Sequence, residues 1–386
     1  MLAALEESLK QRQRDGLLRQ RRLLDSPQAE HIVADDTHYL SFCSNDYLGL
    51  ANHPQLIGAL QTAATESGVG SGASNMITGH HRYHDQLEKK LAKFVGMPAA
   101  MIFSTGYMAN IGVISALVGH HDAVFCDKLN HACLNDGAVL SRADFKRFAH
   151  NDIDMLENML KKSTARRKLI AVDGVFSMDG DIAPLVEYLQ LCERYDAYLY
   201  VDDAHGFGVL GTNGEGSLNH FLLQSPRIIY MATLSKAAGV AGAFVAGQQV
   251  IIDYLIQYAR SYVYSTPAPP PLSAALIASV DMIANGRDRR DKLIANILYL
   301  QNNLILKKWQ LWPSITAIQP LIVGSNDMAL RLSKQLQQQG ILVPAIRPPT
   351  VPVNTARLRI SLSSAHHLDH IKVLISAITQ AESDLA

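Results

Sequence analysis

The sequence predicts an α/β protein, with a larger domain on a mainly parallel sheet and a smaller C-terminal α/β unit behind it. Three observations carry this. Short apolar runs alternate with amphipathic segments between residues 99 and 247. A proline cluster from Pro267 to Pro271 interrupts that pattern. Beyond it come long helical segments and further strand-like runs. Strands that alternate with helices indicate a sheet covered on both faces.

Taken in order, residues 1–25 read as a helix ending at Ser26-Pro27. Residues 31–43 alternate as a short hairpin does. Asn45 to Gly49 reads as a turn. Helical segments at 54–66 and 83–95 flank a glycine-rich loop at 68–79. The apolar runs are 99–104, 123–126, 168–172, 198–202, 228–232 and 242–246, with amphipathic stretches such as 152–162 and 183–196 between them. After the prolines, 272–308 and 326–339 read as helical, and 315–323, 341–346 and 357–362 as strands. The expected division is an N-terminal arm over 1–45, a large domain over 46–270 and a small domain over 271–386.

Composition narrows the function. The chain has 386 residues, long enough for a large core. Lys plus Arg equal Asp plus Glu at 35 each, so bulk charge gives no reason to seek nucleic acid or anionic membrane. The basic stretch 10–22 interleaves leucines with its charges and reads as an amphipathic surface helix. Cys43, Cys126, Cys133 and Cys192 have no zinc spacing. They read as small buried hydrophobes in a reducing compartment, and no metal site is expected. The start, MLAALEESLK, is unlike a signal peptide, and no run reaches ~18 apolar residues. A cytoplasmic location is the expectation.

In open α/β sheets, ligands bind beyond the C-terminal ends of the strands, so the residues after each run are the candidates. After 99–104, Gly106 and Tyr107 open a helix whose free N–H groups suit a phosphate. After 123–126 comes His131, which alone reads as a satisfied polar residue. After 168–172 come Asp173 and then Ser177, a candidate donor. Asp179-Gly180-Asp181 lacks the spacing of a calcium loop. After 198–201 come Asp202 and His205. A carboxylate at a buried strand end needs something cationic, such as a protonated ring nitrogen; otherwise it caps the next turn. After 228–232 come Thr233 and Lys236, a lysine among small residues. Desolvation lowers a lysine pKa and favours Schiff-base chemistry. The loop Gly68 to Ala73 fits a dinucleotide pattern formally, but a helix precedes it where a strand is required.

Together these residues resemble the α-oxoamine synthase family of fold-type I pyridoxal phosphate enzymes. The strings SNDYLGL, GVFSMDGD, VDDAHG and TLSKA carry the resemblance, which runs from about residue 40 to 365. The string IRPPTVPVNTARLRISLSSAH narrows it within the family. The resemblance implies a seven-stranded sheet and a homodimer with shared sites. It implies that Lys236 holds pyridoxal 5′-phosphate and acts as base. Asp202 would pair with the ring nitrogen, His205 and Ser177 with the phenolate oxygen, and His131 would stack on the ring. Gly106, Tyr107 and Thr233 would sit around the phosphate and ring, and Thr266 would reach the phosphate of the neighbouring subunit. Asn45 and Arg359 would hold an amino-acid carboxylate. Arg19, with Arg21 and Arg22 as rivals, and Thr350 would contact substrate near the entrance. The implied reaction joins L-alanine to a pimeloyl thioester of coenzyme A or acyl carrier protein with loss of carbon dioxide, in biotin biosynthesis. A sister reaction would use another amino acid and acyl chain. The chain departs from the family pattern at Asp173, where Glu is usual, and at Asn75, where Arg is common.

Overall fold

The computed structural model describes residues 1–385. All six apolar runs form strands, and a seventh joins them. The sheet order is Ala99–Phe103, Ala243–Gly247, Ile228–Thr233, Tyr198–Asp202, Lys168–Asp173, Ala123–Asp127 and Asp144–Phe148. Ala243–Gly247 runs antiparallel to both neighbours, and the other pairings are parallel. The central strands are almost wholly buried, which is why they read as unbroken apolar runs. Asp144–Phe148, with sequence DFKRF, pairs on one side only and is half-exposed. An edge strand tolerates charge, so the apolar-run criterion passes over it.

The chain divides into two compact units. The larger comprises residues 48–177 and 181–290, and contains this sheet. Helix Gly106–Leu117 packs against Ala132–Ser141 and against the strand ending at Thr233. Val113, Ile114, Val124, Leu134, Tyr200, Met231 and Val245 form part of one buried cluster there. Each such side chain contributes roughly 1.5–3 kcal/mol by leaving water. The prolines open helix Pro270–Ala284, which packs on helices Pro54–Ser67 and Arg82–Phe94. The expected long helix over 272–308 is in fact two, parted at Asn285-Gly286.

The smaller unit comprises residues 1–47, 178–180 and those from 291 on. The expected hairpin pairs His31–Ala34 with Thr37–Ser41. Its turn has positive φ at Asp35 and Asp36, as a two-residue hairpin turn requires. A second sheet orders Gln310–Leu311, Ile318–Gly324, Ala356–Ser361 and Ala345–Ile346, all antiparallel. The run 341–346 is split. Ile341–Leu342 joins the hairpin, and Ala345–Ile346 joins the second sheet. Pro344, which has no N–H to give a ladder, lies between them.

The N-terminal expectation needs correction. The helix is Leu2–Arg14, not 1–25. Gly16 has φ +64°, and the Leu17 and Gly16 amides bond back to Arg12 and Gln13. That is the double hydrogen bond of a left-handed helix stop. Arg19, Arg21 and Arg22 therefore lie beyond the helix, in irregular chain.

Candidate active site

Parallel strands bring their C-terminal ends to one edge of the sheet. Asp173 and Asp202 face each other in register there, and Asp202 pairs in turn with Met231. At this edge lies a cavity of about 180 Å³ within the larger unit. Gly106, Tyr107, His131, Ser177, Asp202, His205, Thr233 and Lys236 all line it. Residues separated by up to a third of the chain thus converge on one cavity. Asn110, Cys133 and Asp173 line it too.

Asp202 is buried, with a relative exposure of 4%. Its Oδ2 accepts from Asn110 Nδ2 at 2.6 Å and its Oδ1 from the Ala204 amide at 3.1 Å. Both donors are neutral. Asn110 is itself fixed, because Tyr200 donates to its Oδ1 at 2.7 Å. A buried carboxylate held by neutral donors is stabilised when a cation meets it, and a protonated pyridine nitrogen is such a cation. Asp173 is also buried, and its carboxyl is pushed well above the usual range by burial and by the Asp202 charge. Its Oδ2 accepts from the His131 amide at 2.6 Å. So the shorter acid at this position still reaches the main chain of the turn that carries His131.

Lys236 is half-buried, and its Nζ lies 2.8 Å from His205 Nε2. Thr233 Oγ1 donates to the Gly242 carbonyl at 3.0 Å and meets Ser235 Oγ at 2.9 Å. Helix Gly106–Leu117 is capped by Thr105, whose Oγ1 accepts from the Met108 amide at 3.1 Å. Gly106 is not needed for a tight turn. It has no positive φ, and an added Cβ would come no nearer than 3.8 Å to a neighbour. Its lack of a side chain leaves room at the helix start, which suits an anion.

Tyr107 is half-exposed, and its hydroxyl donates to Asp136. The exposed His131 caps helix Ala132–Ser141, and its Nδ1 meets Cys133 Sγ at 2.7 Å. Cys133 is more than a small core residue, since its sulfur also accepts from Asn110 Nδ2 at 2.8 Å. Burial pushes its thiol pKa up, so it stays protonated. Asn110 and Cys133 are the site residues that sequence reasoning missed. The signal available was a polar residue on the buried face of an otherwise apolar helix.

Other expected residues lie elsewhere. Thr266 is exposed and, with Asn75, lines a separate small cleft of the larger unit. Asn75 Oδ1 has no hydrogen-bond partner among the described residues. In the smaller unit, Arg359 is buried and donates to Asn45 Oδ1 at 3.0 Å and Ser361 Oγ at 2.8 Å. Tyr47 donates to the same Asn45 oxygen at 3.1 Å. Asn45 thus orients the guanidinium and keeps its amide N–H groups as donors. Arg19 and Thr350 are exposed. Arg19 is the cation that lowers the pKa of Arg347, after burial, whereas Arg22 bonds to Gln337 at 3.1 Å. Among the described residues, no group of three or more His, Cys, Asp or Glu side chains could hold a metal. No helix among the described residues is long and apolar enough to cross a membrane.

The model of the aminotransferase class I and II family matches residues 37–378. Two relatives named 8-amino-7-oxononanoate synthase match almost the whole chain. That of Nitrosospira multiformis is 58% identical, covering 99% of this chain and 96% of its own. That of Methylobacillus flagellatus is 55% identical, with the same coverages of 99% and 96%. The chain belongs to the aminotransferase class I and II family, in its α-oxoamine synthase branch. Solved structures of this family agree with the fold. A serine palmitoyltransferase from S. paucimobilis, with bound PLP–myriocin aldimine, has a TM-score of 0.93 at 27% identity. It covers 99% of this chain and 97% of its own. An 8-amino-7-oxononanoate synthase from Francisella tularensis has a TM-score of 0.78 at 32% identity, covering 90% of this chain and 98% of its own.

Proposed function

We propose that this chain condenses L-alanine with a pimeloyl thioester, releasing carbon dioxide and the thiol to give 8-amino-7-oxononanoate, with pyridoxal 5′-phosphate as cofactor. The observation that carries the reading is one cavity holding Lys236 against His205 and, beside them, a buried Asp202 with only neutral hydrogen-bond donors. The full-length relatives supply the substrate class. They are about twice as identical to the chain as the serine palmitoyltransferases are. That difference favours alanine and a pimeloyl group over serine and a long acyl chain.

Bound pyridoxal phosphate supplies an aldehyde carbon for an amine, and a ring that accepts the electrons of a broken Cα–H bond. Lys236 would hold the cofactor at that aldehyde, and its free amine would serve as base for the Cα proton. Asp202 would keep the ring nitrogen protonated, with Asn110 holding Asp202 for that task. His205 and Ser177 would serve the phenolate oxygen. The exposed His131 would cover the ring. The first-turn amides at Gly106 and Tyr107, with Thr233, would receive the phosphate. Thr266 would complete the phosphate site of a neighbouring subunit in a homodimer. Arg359, steadied by Asn45, grips the amino-acid carboxylate, and Arg19 and Thr350 meet the substrate nearer the entrance. Coenzyme A or acyl carrier protein would carry the acyl group.

The test is thiol release from pimeloyl-coenzyme A and from pimeloyl-acyl carrier protein with L-alanine, set against glycine and serine. Lys236→Ala is expected to abolish turnover. Turnover by that variant, or a preference for serine with a long acyl thioester, would overturn the reading.

A further inference from the structure

His150 does not line the cavity, and the reaction above gives it no task. It is half-buried, and both ring nitrogens meet carboxylates. Nδ1 lies 3.1 Å from Asp127 Oδ1, and Nε2 lies 2.9 Å from Asp181 Oδ2. A neutral imidazole carries one N–H and could donate to only one of them; two carboxylates call for the imidazolium. Asn151 doubles the link, giving its backbone N–H to Asp127 Oδ2 at 2.8 Å and its side-chain amide to Asp181 Oδ2 at 2.9 Å. The ring of Phe176 stands edge-on to His150 at 4.4 Å. Burial opposes the charge on His150, but the hydrogen bonds to Asp127 and then Asp181 outweigh it and raise the pKa to about 10.

Each acid of this clamp also shapes a turn that enters the cavity. Asp127 ends its strand, and its Oδ1 accepts from the Leu129 amide at 2.7 Å. That folds the turn leading to His131. On the other side, the Asp181 carbonyl accepts from the Phe176 amide at 3.0 Å, and Val175 bridges Ile182. Those contacts form the stem of the turn bearing Ser177.

We propose that His150 is a positioning residue whose clamp between Asp127 and Asp181 sets His131 and Ser177 against the cofactor ring. The assignment rests on the functional reading above, in which those two side chains touch the ring. Removing the cation leaves two carboxylates facing each other across the gap, and their repulsion loosens both turns.

The test compares wild-type protein with His150→Gln, His150→Lys and Asp181→Asn, each loaded with pyridoxal phosphate. The readouts are cofactor dissociation and the circular dichroism induced in the cofactor's absorption band. The second reports ring orientation, which a loss of stability alone would not change. His150→Gln is expected to bind cofactor about two- to thirty-fold more weakly, with a smaller induced signal. His150→Lys is expected to recover part of both. Nitrogen NMR is expected to find both His150 nitrogens protonated at neutral pH. Unchanged affinity and induced signal in His150→Gln would overturn the assignment. So would a single protonated nitrogen on His150. If His150→Gln does not fold, Asp181→Asn decides by the same readouts. Wild-type protein that takes up no pyridoxal phosphate would instead overturn the functional reading, and this assignment with it.

Discussion

Asn110→Leu removes the side chain whose hydrogen bonds link Asp202 to Tyr200 of the packed core. Asn110 is fully buried and makes contacts in both directions, accepting from Tyr200 and donating to Asp202. Leucine keeps the branched outline and creates no cavity, so the loss is polar, with its extra bulk adding to the cost. The Tyr200 hydroxyl loses its Asn110 acceptor, which costs about 1–3 kcal/mol for an unsatisfied buried group. Asp202 loses one of two donors, and a hydrogen bond to a charged group is worth about 1.5–3 kcal/mol. The two changes share a residue and do not simply add, so a total near 3 kcal/mol is expected in urea unfolding of the cofactor-free protein. Asp202 also loses a donor that aims its carboxylate, so it pairs less well with a ring cation. Cofactor binding is therefore expected to weaken by about tenfold or more, as measured by titration of the cofactor absorbance. A variant that unfolds at wild-type urea and binds cofactor equally well would refute the claim that Asn110 supports Asp202.

Two further outcomes concern pH. The Asp173 carboxyl is held above its ordinary 3.8 by burial and the Asp202 charge. The native state thus keeps this proton longer than the unfolded chain does, and Asp173's contribution to stability declines as pH rises through that interval. Asp173→Asn is expected to remove that decline, so in urea it gains on wild type as pH rises; an equal pH slope for both would count against the raised pKa. In the smaller unit, His366 is buried, accepts from the Ser363 amide at 3.0 Å and meets the Ser41 carbonyl at 2.9 Å. Burial lowers its pKa from 6.5 to about 4. The unfolded chain takes up the proton first as pH falls through that window, so stability drops there by up to about 3 kcal/mol. His366→Gln is expected to be less stable at neutral pH but to flatten that part of the acid limb, which unfolding curves across the window would reveal.

Much of this site was legible because burial on both faces writes parallel strands as plain apolar runs. Where such a run ends in Asp202, or breaks before Lys236, the polar residue marks the sheet edge where ligands bind. Features set by pairing partners were not legible in the same way. Asp144–Phe148 is a strand only because Ala123–Asp127 offers it a ladder, and DFKRF alone gives no apolar face. Ile341–Leu342 and Ala345–Ile346 join different sheets, a choice made by distant chain. The first helix reads too long in the sequence because the amphipathic pattern of 10–22 continues past Gly16, while the stop depends on that residue's positive φ. Asn110 and His150 were passed over for a related reason. Each has ordinary neighbours in sequence, and its partners are tens of residues away.

The most direct test of the central claim is to locate the cofactor on the chain. Protein loaded with pyridoxal phosphate is reduced with borohydride, which fixes the carbon–nitrogen bond, and its peptides are mapped by mass. The added mass is expected on Lys236, and is expected to be lost when excess L-alanine is present before reduction. A label on another lysine, or one that alanine does not displace, would contradict it.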